Sequence, residues 1–398
     1  LLSRIVEPRV IRCLFLALAL LAVGLVPALA KHHDHEQGYK TGPGNSPIAY
    51  HADPRSMLPK GHNATRDITT ANLLTMTSPC IGTGTDGPRV QLAYWVTGGA
   101  TDQYATRVPQ IIDLAQQIDN WLETELTPWN HHRVTRWMRP SCGQPSVLHA
   151  TDTNGVAFTA PGVHYLVWVD GSTAQVCGFA TEESDDTPNP ANANNWNNEI
   201  GETLTDCGMT LGVSLHEFTH MLGAVQATAP HSNNNGGFHC YEEWDIMCYH
   251  DAPNAPALVY TCPSAPNETL DCNNDDYFSG DEPRGASAPL PYLYDHWNTY
   301  HSNYLADPNI TPSMSCGDCD MHRGGETQTI TFSGYHNGET VYVFVDGKNK
   351  GHASANTSGA GSLTITFGAN AATGTFPIAA IGYLGTWDDG TGTLRVRA

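Results

Sequence analysis

The segment "LGVSLHEFTHMLGAV" (211–225) constrains this 398-residue chain more than any other. Leu211, Leu215, Phe218 and Leu222 recur at helical spacing, so it reads as a helix with a buried apolar face. Yet His216, Glu217 and His220 stand in its middle. Ionisable groups are costly to bury without partners, so a fold built around this helix must use them. Residues four apart share one helical face, which lets two imidazoles bind one ion. Glu217 projects beside His216, within reach of a water on that ion. HExxH is therefore the spacing of a catalytic zinc site. The ion polarises a carbonyl and acidifies a water, and the carboxylate moves the water's proton.

The flanking patterns set the architecture. "RVQLAYWV" (89–96) predicts a strand, and "VHYLVWVDG" (163–171) predicts a buried strand ending in a turn. Between them, Ile111, Leu114, Ile118, Trp121 and Leu122 mark one face of a helix over 108–126. "YLYDHWNTYHSNYL" (292–305) predicts a third helix, and "SDDTPNPANANNWNN" (184–198) a long polar loop edging the substrate cleft. Beyond Cys319 the chain turns to short β-prone runs separated by Gly, Asn and Asp, such as "TVYVFVDG" and "SLTITFGA". Leu363, Ile365 and Phe367 alternate with Thr364 and Thr366, so that strand has one wet face. The expected fold class is α+β: a domain over 76–320 followed by a small all-β sandwich over 321–398.

The start of the chain points to export. Arg4, Arg9 and Arg12 precede "CLFLALALLAVGLVPALA", which ends in a small-residue cleavage pattern. This predicts a signal peptide over 1–30 rather than a membrane anchor. Residues 31–75, opening with "KHHDHEQGYK", show no helix or strand period and read as a disordered linker or propeptide. Cys13 leaves with the leader. The ten remaining cysteines predict up to five disulfides of unspecified pairing in a secreted, extracellular chain. The leader's three arginines and Glu7 account for +2 of the net charge of −21, leaving −23 on the rest. Such a surface repels nucleic acid and acidic membranes, so neither is an expected partner.

Around the helix the sequence resembles the metzincin clan of zinc endopeptidases, whose motif HExxHxxGxxH precedes a turn containing Met. His216, Glu217, His220 and Gly223 match, and "DIMCY" (245–249) looks like the Met-turn, with Met247 as an apolar floor beneath the metal. The glycine suits a helix that must stop and turn with positive φ. The pattern "HExxHxxGAVQ…APH…HCxxExDxMCY" is also similar to a group of secreted bacterial proteins that are presumed metalloproteases. The resemblance implies one catalytic Zn²⁺, Glu217 as general base, protein or peptide substrates, and Tyr249 as a stabiliser of the developing oxyanion or a switchable ligand. Gln226 stands where the motif has its third histidine. A neutral amide is a weak zinc ligand. His231, five residues on, is the first expectation for the third ligand because imidazole is the natural one. Gln226 itself, His239, Glu242 and Glu243 are the alternatives.

Three further readings complete the sequence. "RPSCGQPSV" (139–147) resembles the cysteine-switch of matrix metalloproteases, but it lies inside the expected catalytic domain, and an even cysteine count argues that Cys142 is paired. In "DCNNDDYF" (271–278), Asp271, Asn273 and Asp275 place oxygen ligands at alternate positions, a pattern suited to Ca²⁺, although the glycine and terminal Glu of an EF-hand are missing and an acidic turn is the simpler reading. The rival to an endopeptidase is a secreted adhesion or binding protein whose HExxH site is degenerate.

Overall fold

The strand Val163–Asp170, buried on both faces from His164 onward, organises the first half of the protein. The computed structural model describes residues 75–154, 156–172, 177–233, 238–242, 245–248, 255–261, 269–280, 295–384 and 392–398. The expected signal peptide, and the expected linker apart from Thr75, lie outside them. No helix among the described residues is long and apolar enough to cross a membrane.

The elements of the first half are β1 (Arg89–Val96), α1 (Tyr104–Leu126), β2 (Val134–Thr135), β3 (Val147–Thr151), β4 (Val163–Asp170), β5 (Gly178–Ala180), β6 (Ile200–Leu204) and α2 (Leu211–Met221). Five of the strands form one sheet in the order β3-β1-β4-β6-β5. All pairs are parallel except β5, which runs antiparallel to β6 at the edge. Successive side chains of a strand point to opposite faces. Leu92, Tyr94, Leu166 and Trp168 accordingly join the core that α1 and α2 cover. Ala93, Tyr165, Val167, Val169 and Leu204 form a smaller cluster with Trp95 and Phe158. Helix α1 buries Ile111, Leu114, Ile118, Trp121 and Leu122, the face read from the sequence.

The third expected helix does not form where it is described. Thr299–His301 is a single 3₁₀ turn, and Leu305–Ala306 is β7, paired antiparallel with β2. Polar side chains dictate this. Asn298 caps the turn by accepting from the Tyr300 N–H at 3.1 Å, and its amide closes on Ser279.

The second half holds β8 (Ser313–Ser315), β9 (Asp320–His322), β10 (Thr327–Ser333), β11 (Thr340–Val345), β12 (Lys348–Ser354), β13 (Gly361–Thr366), β14 (Gly374–Gly382) and β15 (Thr393–Arg397). They make a three-stranded sheet, β13-β10-β8, and a five-stranded sheet, β12-β11-β14-β15-β9. Ile330 and Ile365 of the first pack with Val343, Val345, Ile378, Leu394 and Val396 of the second, one core between two sheets. The fold is α+β, a helix-covered sheet followed by a β-sandwich. The two halves meet in specific contacts. Leu384 packs against the first core, Trp196 lies 4.7 Å from the Phe344 ring, and Arg133, stacked 3.9 Å over Tyr300, donates to the Leu384 carbonyl.

Four disulfides join described cysteines: Cys80–Cys142, Cys177–Cys207, Cys240–Cys248 and Cys316–Cys319; Cys272 is disulfide-bonded as well. The Cys142 sulfur is therefore not available as a thiolate switch.

Candidate metal centre

Helix α2 is buried along its whole length. The Thr210 hydroxyl caps its start, accepting from the Val213 N–H at 3.5 Å. Two glycines bring it against the sheet. A Cβ on Gly201 would sit 3.1 Å from the Glu217 carbonyl and the Met221 sulfur, and one on Gly178 would sit 2.4 Å from Glu217 Oε1. The helix ends at Gly223, where φ is +95°, and a side chain there would collide with Asn194 at 2.6 Å. Trp297 Nε1 donates to the Leu222 carbonyl at 2.7 Å and seals this end.

His216 and His220 project from one face of α2, and their Nε2 atoms lie 3.1 Å apart. His239 brings its Nε2 to 3.2 Å from that of His220. All three rings are buried. The other ring nitrogens fix the tautomer. His216 Nδ1 faces the Ile246 carbonyl at 2.8 Å, and His220 Nδ1 faces the Ala224 carbonyl at 2.6 Å and Glu182 Oε2 at 3.0 Å. A proton shared with these acceptors sits on Nδ1, so the Nε2 lone pairs of both turn inward. Burial lowers the His216 pKa to about 4, which keeps the ring neutral. Neutral imidazole lone pairs this close repel unless a cation lies between them. A tetrahedral zinc bound at about 2.0–2.1 Å sets its nitrogens roughly 3.3 Å apart, so the spacing fits that ion.

His231 does not join this group. Its Nδ1 pairs with Asp276 Oδ1 at 2.7 Å, in a separate cluster with Glu242 and Asp275. The two histidines stand on one hairpin: the Asn233 N–H donates to the His239 carbonyl at 2.8 Å and the Tyr241 N–H to the His231 carbonyl at 3.0 Å. His231 itself has a left-handed backbone, with φ +54°, and its ring turns to the acidic cluster while His239 reaches α2. Gln226 is not in the group either. Its Nε2 donates to the Glu183 and Gly223 carbonyls at 2.9 Å and approaches Glu182 Oε1 at 3.4 Å, so it braces the carboxylate that faces His220. Glu182 itself carried no sequence signal; only the fold brings it 38 residues back to His220.

Glu217 is fully buried beside His216, against Gly178 of the edge strand. Its Oε2 has no hydrogen-bond partner among the described residues. Burial, reinforced by the charge of Glu202, holds its carboxyl well above the usual range. Met247 is buried in the main core, and its N–H donates to Asp245 Oδ1 at 2.6 Å. The Cys240–Cys248 disulfide joins the residue after His239 to the residue after Met247. Tyr249 and Glu243 lie outside the described residues.

The alternate oxygens of 271–278 do not converge. The Asp271 carboxylate accepts from the backbone N–H groups of Asp275, Asp276, Tyr277 and Phe278 at 2.5–3.3 Å, shaping its own loop. Asn273 Nδ2 points to Glu242 at 3.4 Å, and Asp275 faces His231.

No protein-family model matches the chain, and no curated protein does. Among the solved structures that align with it are two of OgpA from Akkermansia muciniphila. One is a catalytically inactive form in complex with an O-glycopeptide (glycodrosocin) substrate, 9% identical over 80% of this chain and 98% of that one. The other is the wild type, 11% identical over 80% and 99%. The TM-score is 0.25 for each, a loose superposition.

Proposed function

We propose that the protein is a secreted zinc-dependent endopeptidase of metzincin-like build. The observation that carries this reading is the convergence of three buried imidazole nitrogens, from His216, His220 and His239, beside a buried Glu217. His239, not the residue at 226 or 231, completes the ligand set. Zinc bound there would polarise a peptide carbonyl and lower the pKa of a water.

The chain's own residues supply the rest. Glu217 takes the proton of the attacking water and delivers it to the leaving amine. Glu182 and the Ile246 and Ala224 carbonyls orient the imidazoles. The antiparallel edge strand β5 passes directly beside Glu217, and an extended peptide adding to that edge would be held by main-chain hydrogen bonds next to the general base. Paired cysteines match the expected extracellular location.

The test is Glu217→Gln. The amide keeps the shape but cannot accept the proton, so hydrolysis of casein should fall by about 10²–10⁴-fold while zinc stays bound. Near wild-type turnover would refute the assignment. Wild-type protein without stoichiometric zinc would favour a binding protein with a degenerate site.

A further inference from the structure

His231, freed from the catalytic centre, stands in a second cluster of metal-ligand type. Its Nδ1 lies 2.7 Å from Asp276 Oδ1, 3.5 Å from Glu242 Oε2 and 3.9 Å from Asp275 Oδ1. The four donor atoms all fall within 4.8 Å of one another. The three carboxylates are buried, Asp276 completely. Fully ionised, they set three negative charges against at most one positive. Buried charge of one sign is expensive unless a counter-ion neutralises it. Asp276 gives a second, independent sign: its Oδ2 is shielded from solvent and has no hydrogen-bond partner among the described residues.

We propose that His231, Glu242, Asp275 and Asp276 bind a second divalent cation, structural rather than catalytic. One imidazole nitrogen with three carboxylate oxygens is a mixed donor set, which suits a first-row ion such as zinc better than calcium, whose shells are all oxygen. Four protein donors leave no open position, the condition of a structural site.

The placement gives the ion a task. His231 and Glu242 are the two feet of the hairpin that carries His239, and Asp275 and Asp276 belong to the loop folded around the Asp271 carboxylate. A cation here pins both feet to that loop. Asn273 and Thr261 reach Glu242 from outside, at 3.4 and 3.1 Å, and hold it in place.

The experiment separates this site from the proposed catalytic one. The full chain carrying His216→Ala and His220→Ala is dialysed against micromolar zinc, and bound metal is counted. About one equivalent should remain, and adding Asp276→Asn should remove it. Glu242→Gln replaces Asp276→Asn if that variant does not fold. Zinc should also raise the thermal midpoint of the double variant, and the added substitution should abolish the rise. The proposal is overturned if the double variant holds no zinc, or if its equivalent survives Asp276→Asn. It is equally overturned if calcium raises the midpoint while zinc does not.

Discussion

His231 and His239 stand on the two arms of one hairpin and face two different clusters, the first toward Asp276 at 2.7 Å and the second toward His220 at 3.2 Å. This division sets the first prediction. His239→Ala should lose zinc from the α2 centre and with it peptide hydrolysis, because two imidazoles and waters hold zinc poorly. Gln226→Ala should keep the ion at that centre. Metal content and casein turnover on both variants check the ordering, and a Gln226→Ala one equivalent short of wild type beside a His239→Ala with the wild-type complement would reverse it.

Glu182→Ala removes the carboxylate facing His220 Nδ1. Loss of such a partner typically costs about 10–100-fold in metal affinity or activity. Gln226→Ala, one contact further out, should cost less. Competition with a chromogenic chelator measures both. Equal affinities for wild type and Glu182→Ala would show that the Ala224 carbonyl alone orients the ring.

Gly223→Ala should destabilise the protein. The left-handed backbone alone costs an alanine about 1–3 kcal/mol, and the methyl also meets Asn194. Urea unfolding reads the change, and an unchanged midpoint would mean that the turn is not held as described.

His164 predicts a pH dependence. Burial lowers its pKa to about 3; the ring stacks 3.5 Å from Tyr304 and its Nδ1 accepts from the Glu199 N–H at 2.9 Å. The unfolded chain takes up a proton below about pH 6.5 that the folded ring refuses until about pH 3. Stability from the neutral ring is thus complete above pH 6.5 and drains away as pH falls, by about 1.4 kcal/mol per pH unit. Buried carboxylates such as Glu199, raised to about 7, pull the opposite way between about pH 4.5 and 7. The clean measurement is therefore the difference between wild type and His164→Asn. It should shrink with that slope on acidification, and a constant difference would contradict a neutral buried imidazole.

Removal of the sandwich tests how separable the halves are. The sequence suggests that a chain ending near residue 315 folds alone. The structure instead packs Leu384 and Phe344 against the first half. Leu384→Ala should cost roughly 1–2 kcal/mol in a thermal or urea melt, and the truncated chain should melt earlier than the whole. Identical melting would mark the contact as incidental.

Much of this fold was legible because apolar spacing speaks directly. Arg89–Val96 and the buried face of Tyr104–Leu126 follow from periodicity, and Gly223 follows from the need to end a helix. Strand β12, "KNKGHAS", was not, since it is polar and largely exposed and is a strand by virtue of its pairing with β11. The turn before it held the clue: Asp346 and Gly347 both have positive φ, the Asp-Gly signature of a two-residue hairpin. The third imidazole was hidden for a different reason. His231 and His239 are both imidazoles, and only the folded chain, which brings Asp276 to the first and His220 to the second, decides between them. Glu182 was invisible because its partner lies on another element.

The Cys240–Cys248 disulfide closes a short loop between the strand bearing His239 and the turn whose Ile246 carbonyl orients His216. Eight residues of backbone and one sulfur–sulfur bond thus close a ring around both segments, so that the ring nitrogen brought by His239 and the carbonyl that orients His216 keep a fixed mutual distance.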